Sequence, residues 1–310
     1  MRASELPSLR GWLATASLAL TAFVACDGCQ GPSAPPAAQV PKPVKRPVVE
    51  ELGESLVLDI EADRLLLAGK LDKENRYASA VVVTTRVRDQ LKHCSGVLVD
   101  RRAVLTAGHC VCVSPSAALI DTSSCAQTAN VTTILYTPVE GLEETANSIS
   151  QLYFGVVHPH PALRVLLNDQ GEVVSSVADL ALIHLTSPVE KAIHPLSLAD
   201  KEVQLSEALI IAGQAYDEVF DRYDENRRFS RNTATRLPMA GDSRILVRQP
   251  SGHPYKGDSG GPCLRESLEH SLLVGISSRN LGKGAACTSI HAYRDWVRSE
   301  LRHPVEVKVP

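Results

Sequence analysis

Short runs of β-branched and aliphatic residues recur from about Glu51 onward: Ala78 to Thr85, Val97 to Leu105, Leu180 to Leu185 and Leu272 to Ser277. Each is shorter than an ordinary helix and is bounded by Gly, Pro, Asn or Asp, so each predicts a buried strand. The spacing of those turn residues predicts an all-β barrel or sandwich. Helical periodicity is confined to His291 to Arg302, where Tyr293, Trp296, Val297 and Leu301 recur at helical spacing. A mixed-charge run from Tyr216 to Arg231 interrupts the pattern. Its acidic residues lack the Gly-centred spacing of a calcium loop, and it predicts a solvated, mobile loop.

The chain ahead of these strands has a different character. Residues 1–25 carry Arg2 and Arg10, then an uncharged stretch from Gly11 to Ala25 that reads as an export signal too short to span a bilayer. It ends in Phe23-Val24-Ala25-Cys26, which resembles the lipobox of bacterial lipoproteins and would make Cys26 the lipid-bearing residue. Residues 26–50 are rich in Pro and Ala with little to pack, as in an extended tether, and residues 51–310 form the globular domain. The expectation is an exported protein, held on a membrane through its lipid or else periplasmic or secreted.

Composition narrows the chemistry. With 310 residues, of which 44% are hydrophobic, the chain can bury a sizeable core, and a net charge of -3 offers no footprint for nucleic acid. Eight cysteines in an exported chain should mostly be paired. Setting aside Cys26 and Cys29 leaves six, and proximity in sequence suggests Cys94 with Cys110, Cys112 with Cys125, and Cys263 with Cys287, although six cysteines admit many connectivities. A metal reading of His109, Cys110, Cys112 and Cys125 has irregular spacing for a tetrahedral site, so no metal and no cofactor are expected.

Three motifs follow in order: Leu105-Thr106-Ala107-Gly108-His109-Cys110, then Ala178-Asp179-Leu180-Ala181-Leu182, then Gly257-Asp258-Ser259-Gly260-Gly261-Pro262. A serine hydroxyl needs an adjacent base to become a nucleophile, and the base needs a buried acid to orient it. Together the motifs resemble the chymotrypsin/trypsin family of serine proteases, and the likeness runs from about Ala78 to Leu301. His158-Pro159, Ser187-Pro188-Val189, Ile211-Ala212-Gly213, Val274-Gly275-Ile276 and the Tyr293 to Trp296 helix add to it. The resemblance implies two packed six-stranded antiparallel β-barrels with a C-terminal helix, and protein or peptide substrates. It also implies that His109, Asp179 and Ser259 are catalytic, with the backbone N–H groups of Gly257 and Ser259 as the oxyanion hole. Cys94 to Cys110 matches the family disulfide bracing the His loop, and Asp258 matches the residue that pairs with a processed N-terminus. Arg64 to Gly69 is a poor counterpart of the usual processing site.

Chain order distinguishes this from the α/β-hydrolase elbow that Gly257 to Gly261 would also satisfy, because there the Ser precedes its acid and His. Asn168-Asp169 is a second acid candidate, but it sits in a polar turn. His160, His184, His194 and His270 have no catalytic framing and read as structural or solvated. The substrate-binding positions depart from the family: His253 stands where trypsin-type enzymes place Asp, and Ser278-Arg279-Asn280 stands where Ser-Trp-Gly is usual. With Lys256 nearby, these point to an acidic or small residue before the scissile bond. A catalytically silent binder using the same cleft is the alternative function.

Overall fold

The computed structural model describes residues 69–114, 118–139, 146–217, 222–248, 259–266, 271–278 and 285–302. The expected signal, Cys26 and the tether lie outside the described residues. In chain order the first strands are β1 (Lys70–Leu71), β2 (Ala80–Val87), β3 (Gln90–Asp100), β4 (Ala103–Thr106) and β5 (Leu119–Asp121). Then come β6 (Thr128–Pro138), β7 (Ala146–Pro159), β8 (Arg164–Leu167), β9 (Val173–Val177), β10 (Ala181–Leu185) and β11 (Ser197–Leu198). The last six are β12 (Ala208–Asp217), β13 (Arg222–Arg236), β14 (Arg244–Arg248), β15 (Pro262–Glu266), β16 (Ser271–Ser278) and β17 (Ala285–Ser289). Among the described residues the helices are α1 (Gly108–Val111) and, after a 3-10 turn at His291–Tyr293, α2 (Arg294–Arg302).

Strands β10, β4, β3, β2, β6 and β7 close into one six-stranded antiparallel barrel. A second runs β13, β12, β15, β16, β17 and β14, and the β13–β14 pairing closes it. The short β1 adds to the edge of β13, and β11 pairs with β16 in parallel. A separate small sheet of β5, β8 and β9 lies between β4 and β10 in the chain. The apolar run Val97 to Leu105 is two strands, because Arg101 and Arg102 turn the chain between β3 and β4.

Why the runs are apolar throughout is clearest on β12. Its alternate residues Leu209 and Ile211 fill the second barrel with Ile245, Val247 and Val274. Ile210 and Ala212, on the opposite face, join Leu264, Leu273 and Ile276 in a core continuous with that of the first barrel. A strand buried on both faces loses the polar alternation of a half-exposed one, which is what the sequence displays.

The mixed-charge run is a correction to the sequence-based expectation. Instead of a solvated loop, most of it is β13, and Arg227 is 1% exposed. Its guanidinium bonds Asp72 at 2.8 Å, Ile134 O at 2.9 Å and Asn75 Oδ1 at 3.2 Å, and lies 5.0 Å over the Tyr136 ring. Asp72 also accepts the amides of Arg76 and Tyr77. One compensated cation thus joins the start of the domain to both barrels, and that partner set is invisible in a local charge count. Removing one member of such a pair leaves a buried charge, so Asp72→Ala should lower unfolding free energy by about 3–5 kcal/mol. Urea denaturation measures it, and a loss below about 1 kcal/mol would contradict the role given to this pair.

Candidate active site

His109 sits in α1, a single turn at the end of β4, and the turn is held from several sides. The Lys92 ammonium on β3 donates to the carbonyls of His109 and Cys112, both at 2.6 Å, and the Thr85 hydroxyl donates to Cys110 O at 2.8 Å. These satisfy carbonyls that so short a helix cannot pair internally. Disulfides Cys94–Cys110 and Cys112–Cys125 flank the histidine, so these cysteines are not metal ligands, and Cys263–Cys287 crosses the second barrel. Gly108 is needed by space: a Cβ there would lie 2.6 Å from Leu163 Cδ1 and 3.2 Å from Asp179 Oδ1.

Asp179 enters immediately before β10 and is fully buried. Its Oδ1 accepts the His109 amide at 2.8 Å, and its Oδ2 accepts His109 Nδ1–H at 2.7 Å and the Ser278 hydroxyl at 2.6 Å. Burial alone pushes this carboxyl up, but the charge and ring hydrogen bond of His109, the Ser278 hydroxyl and the His109 amide outweigh it and hold the pKa at about 2. Near neutral pH the group is therefore a carboxylate, which can only accept. That fixes the imidazole proton on Nδ1 and leaves Nε2 as the basic nitrogen.

Two residues that the sequence reading did not assign this role complete the support. Ser278, expected to face substrate, uses its hydroxyl on Asp179 instead of leaving it in the pocket. Ala178 holds a left-handed φ of 49°, costly for a residue with a Cβ, and its amide donates to the Tyr293 hydroxyl at 2.9 Å. Tyr293 itself packs edge-on against His160 beside Trp296. The signal in the sequence was the Tyr293 to Trp296 helix, but a backbone partner 115 residues away leaves no local trace.

Ser259 precedes β15 and reaches across to the first barrel. Its carbonyl accepts the Ser95 amide of β3 at 2.8 Å and lies 3.6 Å from the Cys110 sulfur, next to His109. Gly260 donates to Ser277 O at 2.7 Å and Gly261 O accepts the Ser277 amide at 2.8 Å, so the segment is stitched to β16 beside Ser278. Gly260 has φ of +88°, and a Cβ there would overlap the Ser95 carbonyl oxygen and the Thr106 hydroxyl. The fold thus joins His109, Asp179 and Ser278 by hydrogen bonds and fastens the Ser259 backbone to Ser95 beside the Cys110 sulfur. Asn168-Asp169 stays in an exposed turn between β8 and β9. His253, Lys256, Gly257, Asp258, Arg279 and Asn280 lie outside the described residues.

Asp179 sets an acid limit. Its folded pKa of about 2 lies below the ordinary aspartate value of 3.8, so its stabilising contribution is present above pH 4 and is lost as pH falls toward 2. The contribution is about 2 kcal/mol, and urea titrations should show it vanishing over that window and missing in Asp179→Asn. Gly260→Ala, by strain and by overlap with a fixed carbonyl, should cost more than about 2 kcal/mol in the same assay.

Comparison with known proteins follows the same outline. Granzyme E of Mus musculus is 23% identical over 276 residues, which span 83% of this chain and 98% of that protein. The family model described as Trypsin matches residues 71–297, the stretch containing both barrels and the first turn of the closing helix. The chain belongs to the trypsin family.

Proposed function

We propose that the protein is a serine endopeptidase in which Ser259 is the nucleophile, His109 its general base and Asp179 the group that orients the base. The observation that carries this reading is the buried Asp179 carboxylate, which holds His109 in the Nδ1–H tautomer while Ser259 is fastened next to Cys110. Nε2 takes the Ser259 proton as the oxygen attacks the scissile carbonyl, and the resulting imidazolium returns it to the leaving amine. Water then enters, His109 deprotonates it, and hydrolysis of the ester frees the acyl product and the serine. The N–H groups of Gly257 and Ser259 would receive the oxyanion, by analogy with the family. Each donor in such a hole is worth about 10²–10³ in rate.

The substrate is a protein or peptide chain, in keeping with the family. His253, Arg279 and Asn280 support a preference for acidic or small residues before the scissile bond rather than Lys or Arg. The export signal and the lipid on Cys26 belong to the same proposal. They would hold the enzyme on the cell envelope through a Pro-rich tether, or else leave it periplasmic or secreted, and the disulfides suit an oxidising compartment.

Cleavage of a peptide library should be dominated by acidic or small residues, and dominant cleavage after Lys or Arg would overturn the specificity. With the best peptide, Asp179→Asn should reduce kcat by about 10⁴, because an amide can donate to the ring and invert its tautomer. A wild-type chain that cleaves nothing in any processed form, yet binds peptides unchanged by Asp179→Asn, would favour a silent binder.

A further inference from the structure

Two histidines of the first barrel, neither used by the proposed reaction, lie side by side. His158 on β7 is paired across the sheet with Leu182 of β10, and His184 lies two residues further along β10, opposite Val156. A spacing of two returns the side chain to the same face, so both rings project together from the barrel. Their centroids are 4.8 Å apart and nearly perpendicular. Glu300 of α2 reaches the same point: its Oε2 lies 3.5 Å from His158 Nδ1 and 3.5 Å from His184 Nε2.

These separations are informative. At 3.5 Å each contact is at the outer limit for a hydrogen bond, where N···O is normally about 2.7–3.2 Å. Two donors bound to one tetrahedral ion at about 2.0–2.2 Å are separated by about 3.3–3.6 Å, so the Glu300 distances match the edges of a coordination polyhedron. All three candidate ligand atoms lie within 4.8 Å of one another, and a shared ion would draw the two ring nitrogens together. His158 and Glu300 remain partly exposed, giving an entry path from solvent and room for a water as fourth ligand.

We propose that His158, His184 and Glu300 form a binding site for a zinc-class divalent cation that fastens α2 to the first barrel. Two imidazoles and one carboxylate suit zinc or cobalt, whereas calcium and magnesium favour all-oxygen shells. The clamp grips the helix that follows Tyr293, whose hydroxyl supports Ala178 next to Asp179. It is independent of the proposed reaction and stands or falls without it.

The test uses the full chain carrying Ser259→Ala to prevent self-digestion, stripped with a chelator and titrated with zinc, cobalt and calcium. Zinc at about 0.1 mM should raise the thermal midpoint by several degrees, and calcium should not. Cobalt should bind with the visible absorption of a tetrahedral site. His158→Gln and Glu300→Gln, on the exposed side of the cluster, should keep the far-ultraviolet dichroism of the parent and weaken zinc and cobalt binding by about 10- to 100-fold. No rise with zinc would overturn the proposal. So would a rise that survives both substitutions, since the ion would then be bound elsewhere, His109 included.

Discussion

A carboxylate with no exposed surface must have donors, and the way Asp179 obtains them organises the active region. Two come from His109, whose backbone and ring are both turned toward it, and one comes from Ser278 of the other barrel. The same three bonds do two things. They offset the desolvation of a buried charge, and they determine which imidazole nitrogen is basic. Any change that lets Asp179 protonate or turn would remove both at once, which ties stability and chemistry to a single group.

The rest of the architecture serves to keep those donors in register. A continuous core between the barrels brings β3 against β12, and the Ser95 strand is the seam. The Ser95 amide donates to Ser259 O, its carbonyl accepts the Thr106 hydroxyl, and its hydroxyl oxygen accepts the Gln214 amide. The Arg227–Asp72 pair secures the same two barrels at the start of the domain. Positioning of Ser259 therefore depends on barrel contacts rather than on the serine's own turn, and at Gly260 that contact leaves no room for a side chain.

Much of this was legible in the sequence, for identifiable reasons. Strands buried on both faces produce unbroken aliphatic runs, and β10 and β16 were readable from them. The three motifs around His109, Asp179 and Ser259 are local, and the proposed site rests on them. What escaped was nonlocal. Arg227 looked solvated because its compensation comes from Asp72, 155 positions away. Ala178 gave no hint of a left-handed backbone, and Ser278 looked like a pocket residue because its distance to Asp179 exists only in the fold. His158 and His184 gave no combined signal, since cross-strand register and a helix from the end of the chain unite them with Glu300.

The central claim is that this arrangement makes Ser259 a nucleophile. A fluorophosphonate probe followed by peptide mapping tests it most directly, because the probe bonds only a serine activated by its surroundings. The account predicts a stoichiometric adduct on Ser259 that disappears in His109→Ala. A folded, processed chain that remains unlabelled, or carries its adduct on another residue, would contradict it.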